Sequence, residues 1–221
     1  ALEKAFSTSA TLLELLKRAV EKCPHAEDLW LMAAKEKWLA GDMEGARDIL
    51  AAAFSSNKDN EDIWLAAVKI ESEAGETDRA RQLLEQARKQ ASTARVWMKS
   101  AMFERSINNV NQERLLLDEG LQRFQQFFKL WIMRAQLEER LQNFDAAREI
   151  YAKGLKQCPQ SIALWRCAVR LEANLKNYAR ARALLEKARL RNPKNDLLWL
   201  ITVRIEMRAA SHEAEQKNGV M

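Results

Sequence analysis

Glutamate and arginine recur along the chain at fixed distances from a tryptophan. The glutamates lie seven residues after it: Glu71, Glu104, Glu138, Glu172 and Glu206. The arginines lie seventeen residues after it: Arg47, Arg81, Arg114, Arg148 and Arg182. Such carboxylates could act as general acids or bases if their pKa values were tuned, or the charges could face a ligand. Regular recurrence favours an architectural role, because ligand surfaces usually differ between repeats.

The two charged series are predicted to form structural pairs. A carboxylate on an apolar helix face costs free energy unless it is paired and hydrogen-bonded, and a planar guanidinium can meet both of its oxygens. The sequence therefore predicts a Glu–Arg or Glu–backbone interaction, within or between repeats, that fixes hairpin angle and register. The first repeat differs, because Lys37 stands at the glutamate position. Ligand binding by these charges stays open as the alternative.

The other residues that could do chemistry form no recognisable site. Cys23 and His25 are neighbours, but one Cys and one His in a loop make a poor metal site, and His212 lies far away. Cys158 shares the repeat register of Cys23, so both are interpreted as packing positions, and Cys167 as a small core residue. The chain has no glycine-rich phosphate loop, GxSxG or HExxH. We predict a protein that is not an enzyme and uses no metal or cofactor.

Composition indicates an all-helical chain. The 221 residues are 48% apolar and 30% charged, with only three prolines and six glycines. The net charge of +5 is spread along the chain and neither requires nor excludes RNA. An odd number of cysteines without a CxxC pair favours a reducing compartment, and no apolar run reaches membrane-spanning length. Because the chain begins at Ala1 in the middle of a repeat, we expect it to be a fragment of a longer protein.

A strict tryptophan period organises the sequence. The intervals between six of the seven tryptophans are 34, 33, 34, 34 and 34 residues, which is typical of a helical repeat array. The members of the series are Trp30, Trp64, Trp97, Trp131, Trp165 and Trp199. Small residues four, sixteen and twenty-three positions after the tryptophan mark where two helices approach closely. We interpret the tryptophans as interior packing residues.

Each repeat is predicted to be a hairpin, whose first helix carries the tryptophan and whose second helix carries the arginine. Gly41, Gly75, Asn109, Asn143 and Asn177 are expected at left-handed helix ends between the two helices. The 33-residue interval is expected to lose its residue in the loop before Trp97. The predicted elements are a lone second helix at about 10–22, hairpins at about 27–56, 61–90, 94–124, 128–157 and 161–191, and a final first helix from near Leu197.

The repeat resembles two related families. The small and proline positions follow the tetratricopeptide template, but Glu replaces the aromatic residue that this template has seven positions after the tryptophan. A hairpin with Trp and Glu on one helix and Ala-Arg on the other resembles the HAT repeat (half-a-tetratricopeptide). The resemblance implies a right-handed α-α superhelical solenoid of HAT hairpins with a period of about 34. We expect the array over residues 1–208, with about five complete repeats and partial ones at both ends. A frayed or irregular tail is expected at 209–221.

Longer strings resemble one HAT family more closely. "LWLMAAKEKWLAGD", "ARVWMKSAMFER" and "EGLQRFQQFFKLWIMRAQLEER" are similar to the pre-mRNA-processing factor six family. This resemblance implies a non-catalytic scaffold in the nucleus that bridges the U-five and U-four/U-six particles in tri-snRNP assembly. Its partners would be other spliceosomal proteins, with RNA contact secondary and no membrane or small-molecule substrate. The alternatives are a HAT scaffold of another RNA-processing complex, such as 3′-end cleavage or ribosome biogenesis, and a direct RNA-binding module.

A binding groove is predicted where the repeats differ. Positions one, five and eight after the tryptophan share one face of the first helix and should line a concave groove. This face has basic ends and a neutral middle; its candidate residues are Trp38, Lys35, Lys69, Arg166, Arg170 and Arg204. Trp38 could anchor a protein partner or pack against the next hairpin. The basic residues could be a solvated face, a groove for an acidic peptide, or an RNA contact. The cut ends of the array could also self-associate.

Overall fold

Twelve α-helices and no strand make up the part of the chain that the structure describes. The structure is a computed structural model that describes residues 2–218, with side chains described for residues 11–215. The helices are α1 Leu2–Lys22, α2 Glu27–Leu39, α3 Met43–Ser56, α4 Glu61–Glu73, α5 Thr77–Gln90, α6 Ala94–Ser106, α7 Val110–Arg123, α8 Phe128–Arg140, α9 Phe144–Gln157, α10 Ile162–Asn174, α11 Tyr178–Arg191 and α12 Asp196–Asn218. The predicted fold class, an all-α repeat of helix hairpins, is confirmed.

The hairpins begin and end close to the predicted positions, and the ends of the array differ most. Helix α1 begins at Leu2 rather than near residue 10. Helix α12 continues to Asn218, so that residues 209–218 are helical where a frayed or irregular tail was expected. Ala209 is buried, and the ring of His212 lies 5.7 Å from the ring of Tyr178, so this turn packs back on α11. Residues 219–221 of the expected tail lie outside the described residues.

A single turn geometry joins the two helices of every hairpin. In the second hairpin the Glu76 N–H donates to the Glu71 carbonyl, and the Gly75 N–H to the Ser72 carbonyl. This is a Schellman motif, which needs a left-handed residue just past the helix end. The residues with positive φ at this position are Gly41, Gly75, Asn108, Gln142 and Lys176.

The prediction was therefore wrong for Asn109, Asn143 and Asn177, which do not occupy the left-handed position. Each asparagine instead precedes the second helix as its N-cap residue. The side chains of Asn109 and Asn177 accept hydrogen bonds from backbone N–H groups in the first turn. The left-handed residue lies one position earlier, where neither Gln142 nor Lys176 carries a turn signal that composition could reveal.

Small residues allow the close helix packing inside each hairpin. Ala46, Ala147 and Ala181, all sixteen positions after a tryptophan, have no exposed surface. At Gly154 the approach is closer still, because a Cβ atom there would lie 2.9 Å from Cβ of Trp131. Contacts this tight leave no room for larger side chains, which explains the recurrence of alanine and glycine.

The chain divides into two compact units, Ala1–Phe103 and Glu104–Met221, with the boundary inside α6. Within the first unit, the first helices α2 and α4 contact each other, as α8, α10 and α12 do in succession within the second. The second helices are arranged differently. Among the described residues, the Cα atoms of α3 and α5 stay more than 8 Å apart, as do those of α9 and α11. A cleft can therefore open between consecutive second helices, with a first helix at its base.

Candidate protein-binding site

The glutamates and arginines of the two series meet between repeats. Nε and Nη2 of Arg47 donate to Oε1 and Oε2 of Glu71, both at 2.8 Å. Arg148 makes the same two-pronged contact with Glu172, at 2.8 and 3.2 Å. Each arginine belongs to a second helix and its glutamate to the next first helix. The pairs thus join neighbouring hairpins, the between-repeat form of the predicted interaction.

The pairs differ in burial along the chain. Nε of Arg114 donates to Glu138 at 3.1 Å, and Glu71, Glu138 and Glu172 are all buried. Glu206 also meets its arginine, Arg182, at 2.7 Å, but both side chains are about half exposed. The carboxylate of Glu206 lies on α12, after which the described residues contain no second helix. Burial of the carboxylate therefore depends on a following second helix.

Glu138 shows how a buried carboxylate of this series is satisfied. It accepts hydrogen bonds from Nη1 of Arg134 at 2.5 Å and from Nδ2 of Asn143 at 2.8 Å, besides that from Arg114. Burial by itself raises the pKa of the Glu138 carboxyl. The hydrogen bonds from Asn143 and Arg134, and the charges of Arg134 and Arg114, outweigh it and hold the pKa below the ordinary value of 4.5. The group is therefore a stable anion.

The exception in the first repeat follows the same logic. The position of Arg47 in the preceding repeat is Leu13, which cannot pair with a carboxylate. The matching glutamate position holds Lys37, whose Nζ donates to Asp42 at 2.6 Å within the hairpin turn. Where the arginine is absent, the glutamate is absent too, which supports a mutual dependence of the two positions.

A further buried pair was not predicted from the sequence. Glu113 replaces the usual alanine beside Arg114, and it is 1% exposed. Its Oε2 accepts a hydrogen bond from Nη2 of Arg140, on the next first helix, at 2.5 Å. Glu113 departs from the alanine series of the repeat, and this departure was the signal that could have pointed to a buried charged pair.

The tryptophans join the first helices to the loops that precede them. The indole N–H of Trp30, Trp64, Trp131 and Trp165 donates to a backbone carbonyl six residues earlier, at 2.7–2.9 Å. Trp97 follows a loop that is one residue shorter, as predicted, and donates instead to the hydroxyl of Ser92 at 3.3 Å. Trp199 departs from the predicted interior packing. It is 57% exposed, with the Arg189 guanidinium over its ring.

The candidate groove residues fall into two groups. In the first unit, Trp38 is half-buried against the core around Ala34 and Ile70. Nζ of Lys69 lies 4.6 Å from the centre of its ring, so Trp38 packs against the next hairpin and carries a cation over its face. Lys35 is exposed on the same helix.

Arg166, Arg170 and Arg204 come together in the second unit. They line a cavity of about 550 Å³ between α10 and α12, together with Arg208, which the sequence analysis had not selected. The lining also includes apolar side chains, of which Val169 and Ile205 are buried, Ile201 is half-buried and Met207 is exposed. Four guanidinium groups beside apolar side chains suit an acidic segment that also carries an apolar side chain.

A polar group connects this surface to the core. Tyr151 is almost fully buried, and its hydroxyl donates to Oε1 of Glu139 at 2.5 Å. Burial, and then the hydrogen bond to this carboxylate, raise the pKa of the Tyr151 hydroxyl far above its ordinary value. The other oxygen of Glu139 lies 3.9 Å from Nη2 of Arg170. Glu139 is therefore hydrogen-bonded to the buried Tyr151 hydroxyl and also lies within ion-pair range of Arg170 at the cavity.

The cysteines are free thiols in different surroundings. Cys167 is buried and Cys158 is half-buried beside the carbonyls of Gln125 and Gln126, and burial raises the pKa of both thiols. Cys23 is exposed, so the shared register of Cys23 and Cys158 does not give them the same environment. Across the described residues, no group of His, Cys, Asp and Glu is arranged to hold a metal ion. None of the described helices combines the length and apolar character needed to cross a bilayer.

Comparison with known proteins agrees with the hairpin geometry. Two stretches, residues 37–102 and 128–171, match tetratricopeptide-repeat families. These matches and the hairpin geometry show that the described helices form a tetratricopeptide-like repeat fold. This fold typically serves as a non-catalytic scaffold for contacts between proteins.

Solved structures show the same fold at low sequence identity. The C-terminal part of a repeat-containing protein from Cytophaga hutchinsonii is 14% identical, with a TM-score of 0.64, and the match covers 96% of this chain and 86% of that one. Yeast Tom70 is 12% identical, with a TM-score of 0.63, over 93% of this chain and 43% of that one. These likenesses concern the tetratricopeptide-like fold alone.

One curated relative shares a short stretch at higher identity. Protein STABILIZED1 of Arabidopsis thaliana is 57% identical over 44 residues, which are 20% of this chain. The match covers only 4% of the length of STABILIZED1.

Proposed function

We propose that this chain is a non-catalytic scaffold that holds protein partners in a nuclear pre-mRNA splicing assembly. The evidence for a scaffold is that the chain has two sets of charged residues with different roles. The recurring charges pair between hairpins, while the arginines that break the repeat gather on one face of α10 and α12. The splicing context is supported by the resemblance of its long strings to the pre-mRNA-processing factor six family.

The scaffold works by rigid display. Arg47–Glu71 and Arg148–Glu172 each join two hairpins through a two-pronged contact, which resists rotation of one hairpin against the next. Partner-binding side chains on a first helix are then held in a fixed geometry, which reduces the entropy lost on binding. No step of this mechanism requires a covalent reaction.

The four-arginine cavity is the proposed contact for an acidic segment of a spliceosomal partner. Charge complementarity of this kind raises the association rate and excludes basic partners. Arg204 and Arg208 are exposed, so an approaching carboxylate can reach their guanidinium groups.

Affinity purification from nuclear extract tests the proposal, with the tagged chain as bait and an Arg166→Glu/Arg204→Glu variant as control. We expect components of the tri-snRNP to bind the unaltered chain and to be reduced with the variant. Recovery of chaperones alone would overturn the splicing assignment. Recovery of 3′-end cleavage or ribosome-assembly factors would assign the scaffold to another RNA pathway.

A direct RNA-binding function is the second outcome that the four arginines allow. It predicts binding of single-stranded RNA whose affinity falls steeply with salt, because several phosphate counterions are released. Fluorescence anisotropy with a labelled RNA oligonucleotide, at physiological and at doubled salt concentration, distinguishes the RNA-binding function from the protein scaffold. Weak or absent binding at physiological salt favours the protein scaffold.

A further inference from the structure

We propose that two clefts between consecutive second helices are docking sites for an apolar side chain of an acidic partner segment. One cleft lies between α3 and α5, over α4, and the other between α9 and α11, over α10. This inference rests on the proposed role as a protein scaffold and names a surface that is separate from the four-arginine cavity.

The two clefts are built from equivalent residues. Ala67 corresponds to Ala168 and Leu83 to Leu184, a constant offset of 101 residues that equals three repeats and holds for the other lining residues. Their volumes are about 260 and 270 Å³, which is room for one or two large side chains. Construction from the same repeat positions means that the cleft arises from the repeat itself and not from an accidental gap.

The chain fills the equivalent space between α7 and α9 with one of its own side chains. Arg134 on α8 stands at the position of Ala67 and Ala168 and is only 13% exposed. Its Nε donates to Asp118 on α7 at 2.6 Å, and its Nη1 to Glu138 at 2.5 Å. The counterparts of Asp118 and Glu138 line both open clefts. A long side chain therefore fits this space, and alanine leaves it free.

The two open clefts favour an apolar side chain over an arginine. Asp118 has alanine counterparts, Ala51 and Ala152, so the carboxylate that anchors the outer side of Arg134 is missing. Glu71 and Glu172 are already held by two-pronged contacts with Arg47 and Arg148. A second guanidinium would gain little there, and an aliphatic or aromatic side chain would bury the apolar wall without losing hydrogen bonds.

The charges around the clefts define the flanks of the partner segment. Arg79 lines the first cleft, and Arg180 and Lys187 line the second, all three being exposed. Arg47 is already paired with Glu71 and Glu44, and Arg148 with Glu172 and Asp145, so the rim cations that can meet a partner are Arg79, Arg180 and Lys187. The complementary partner is a segment in which a Leu, Met or Phe side chain enters the cleft while neighbouring Glu or Asp residues meet the rim.

Methyl NMR with a defined peptide tests the proposal. The probe is an amphipathic peptide with a single leucine flanked by glutamates, and its controls carry serine for the leucine or lysine for the glutamates. We expect the probe to shift the methyl signals of Leu83 and Leu184, and both control peptides to bind at least tenfold more weakly. Shifts confined to the four-arginine cavity, or tighter binding of the lysine peptide, would overturn the proposal.

Plugging the clefts provides the matched variant. Ala67→Met/Ala168→Met places a long side chain where Arg134 already shows that one is accommodated, so the fold should be retained, as a melting curve would verify. We expect the variant to lose at least tenfold in peptide affinity. Arg134→Ala/Asp118→Ala, which opens the third cleft, should add shifts at Ile150. Unchanged affinity in the plugged variant would contradict the docking site.

Recovery of partners from nuclear extract distinguishes a failure of the proposed docking clefts from a failure of the proposed scaffold function. If the plugged variant still recovers every partner of the unaltered chain from nuclear extract, the clefts are not docking sites although the scaffold stands. If the unaltered chain recovers no partner, the scaffold fails first. Concentration-dependent shifts without peptide would instead show a second copy of the chain in the cleft and would overturn the acidic partner.

Discussion

The free energy lost when an Arg–Glu pair is broken depends on how deeply its carboxylate lies. In Arg148→Met, Glu172 would remain buried without its main partner, and we expect the free energy of unfolding to fall by about 2–3 kcal/mol, less than for a fully buried pair because Arg148 is partly exposed. Arg182→Met is the matched control. Its partner Glu206 is half exposed and solvent screens the pair, so the loss should be clearly smaller than in Arg148→Met. Urea denaturation measures both, and equal losses would show that burial is not decisive.

The Glu113–Arg140 pair should respond asymmetrically to substitution. Arg140→Met leaves a carboxylate with almost no exposed surface, and we expect a loss of about 3 kcal/mol. Glu113→Ala restores the usual residue of the repeat and leaves Arg140, which water reaches, so stability should change by less than about 1 kcal/mol. Thermal and urea unfolding of the two variants check the asymmetry. A larger loss in Glu113→Ala would show that the pair itself is strongly stabilising.

Acid should selectively weaken the contribution of Glu138. Its pKa is lower in the folded state than the ordinary 4.5, so its contribution to stability is present above that value and is lost as the pH falls through the folded-state pKa. Glu138→Gln should therefore be less stable than the unaltered chain near neutral pH and approach it in acid. Urea denaturation from about pH 7 to about pH 3 gives this difference. A difference that stays constant with pH would contradict the assignment.

At the scale of the helices, the left-handed turn residues offer a direct test of the hairpin geometry. Lys176 has a φ of 58°, which disfavours a side chain, so Lys176→Gly should raise stability by up to about 1 kcal/mol. Gly75 has a φ of 79° and open space around it, so Gly75→Ala should cost about 1 kcal/mol through backbone strain alone. Thermal unfolding measures both. A stabilising Gly75→Ala would show that the turn adopts another conformation.

The positions of the helices could be predicted from the sequence, because the tryptophan period and the small residues each indicate the same repeat register. The left-handed residues of the turns were predicted less well. Gln142 and Lys176 adopt a positive φ because the chain reverses there, although neither residue type favours this conformation. The recurring arginines and glutamates could be predicted to form pairs. The structure was needed to show that the two partners of each pair belong to neighbouring hairpins. Arg134 was missed because it lies inside a first helix that otherwise follows the pattern.

At the scale of the whole chain, the exposed apolar face of α12 is expected to promote self-association. Trp199, Val203 and Met207 are each more than half exposed on this helix, although their counterparts face a second helix or a groove in other repeats. Val203→Glu/Met207→Glu should abolish association without unfolding the chain. Sedimentation velocity over a range of concentrations measures this effect. A monomer at all concentrations before substitution would contradict the expectation.

The hydrogen bond between Trp97 and Ser92 shows how a repeat array can tolerate linkers of different length. One loop is a residue shorter than the others, yet the indole keeps a hydrogen-bond acceptor because a hydroxyl replaces the missing carbonyl. Repeat length is therefore not fixed by the tryptophan, provided that the linker supplies an acceptor within reach. A designer who shortens a linker in this scaffold should place serine immediately after the C-cap, where Ser92 stands.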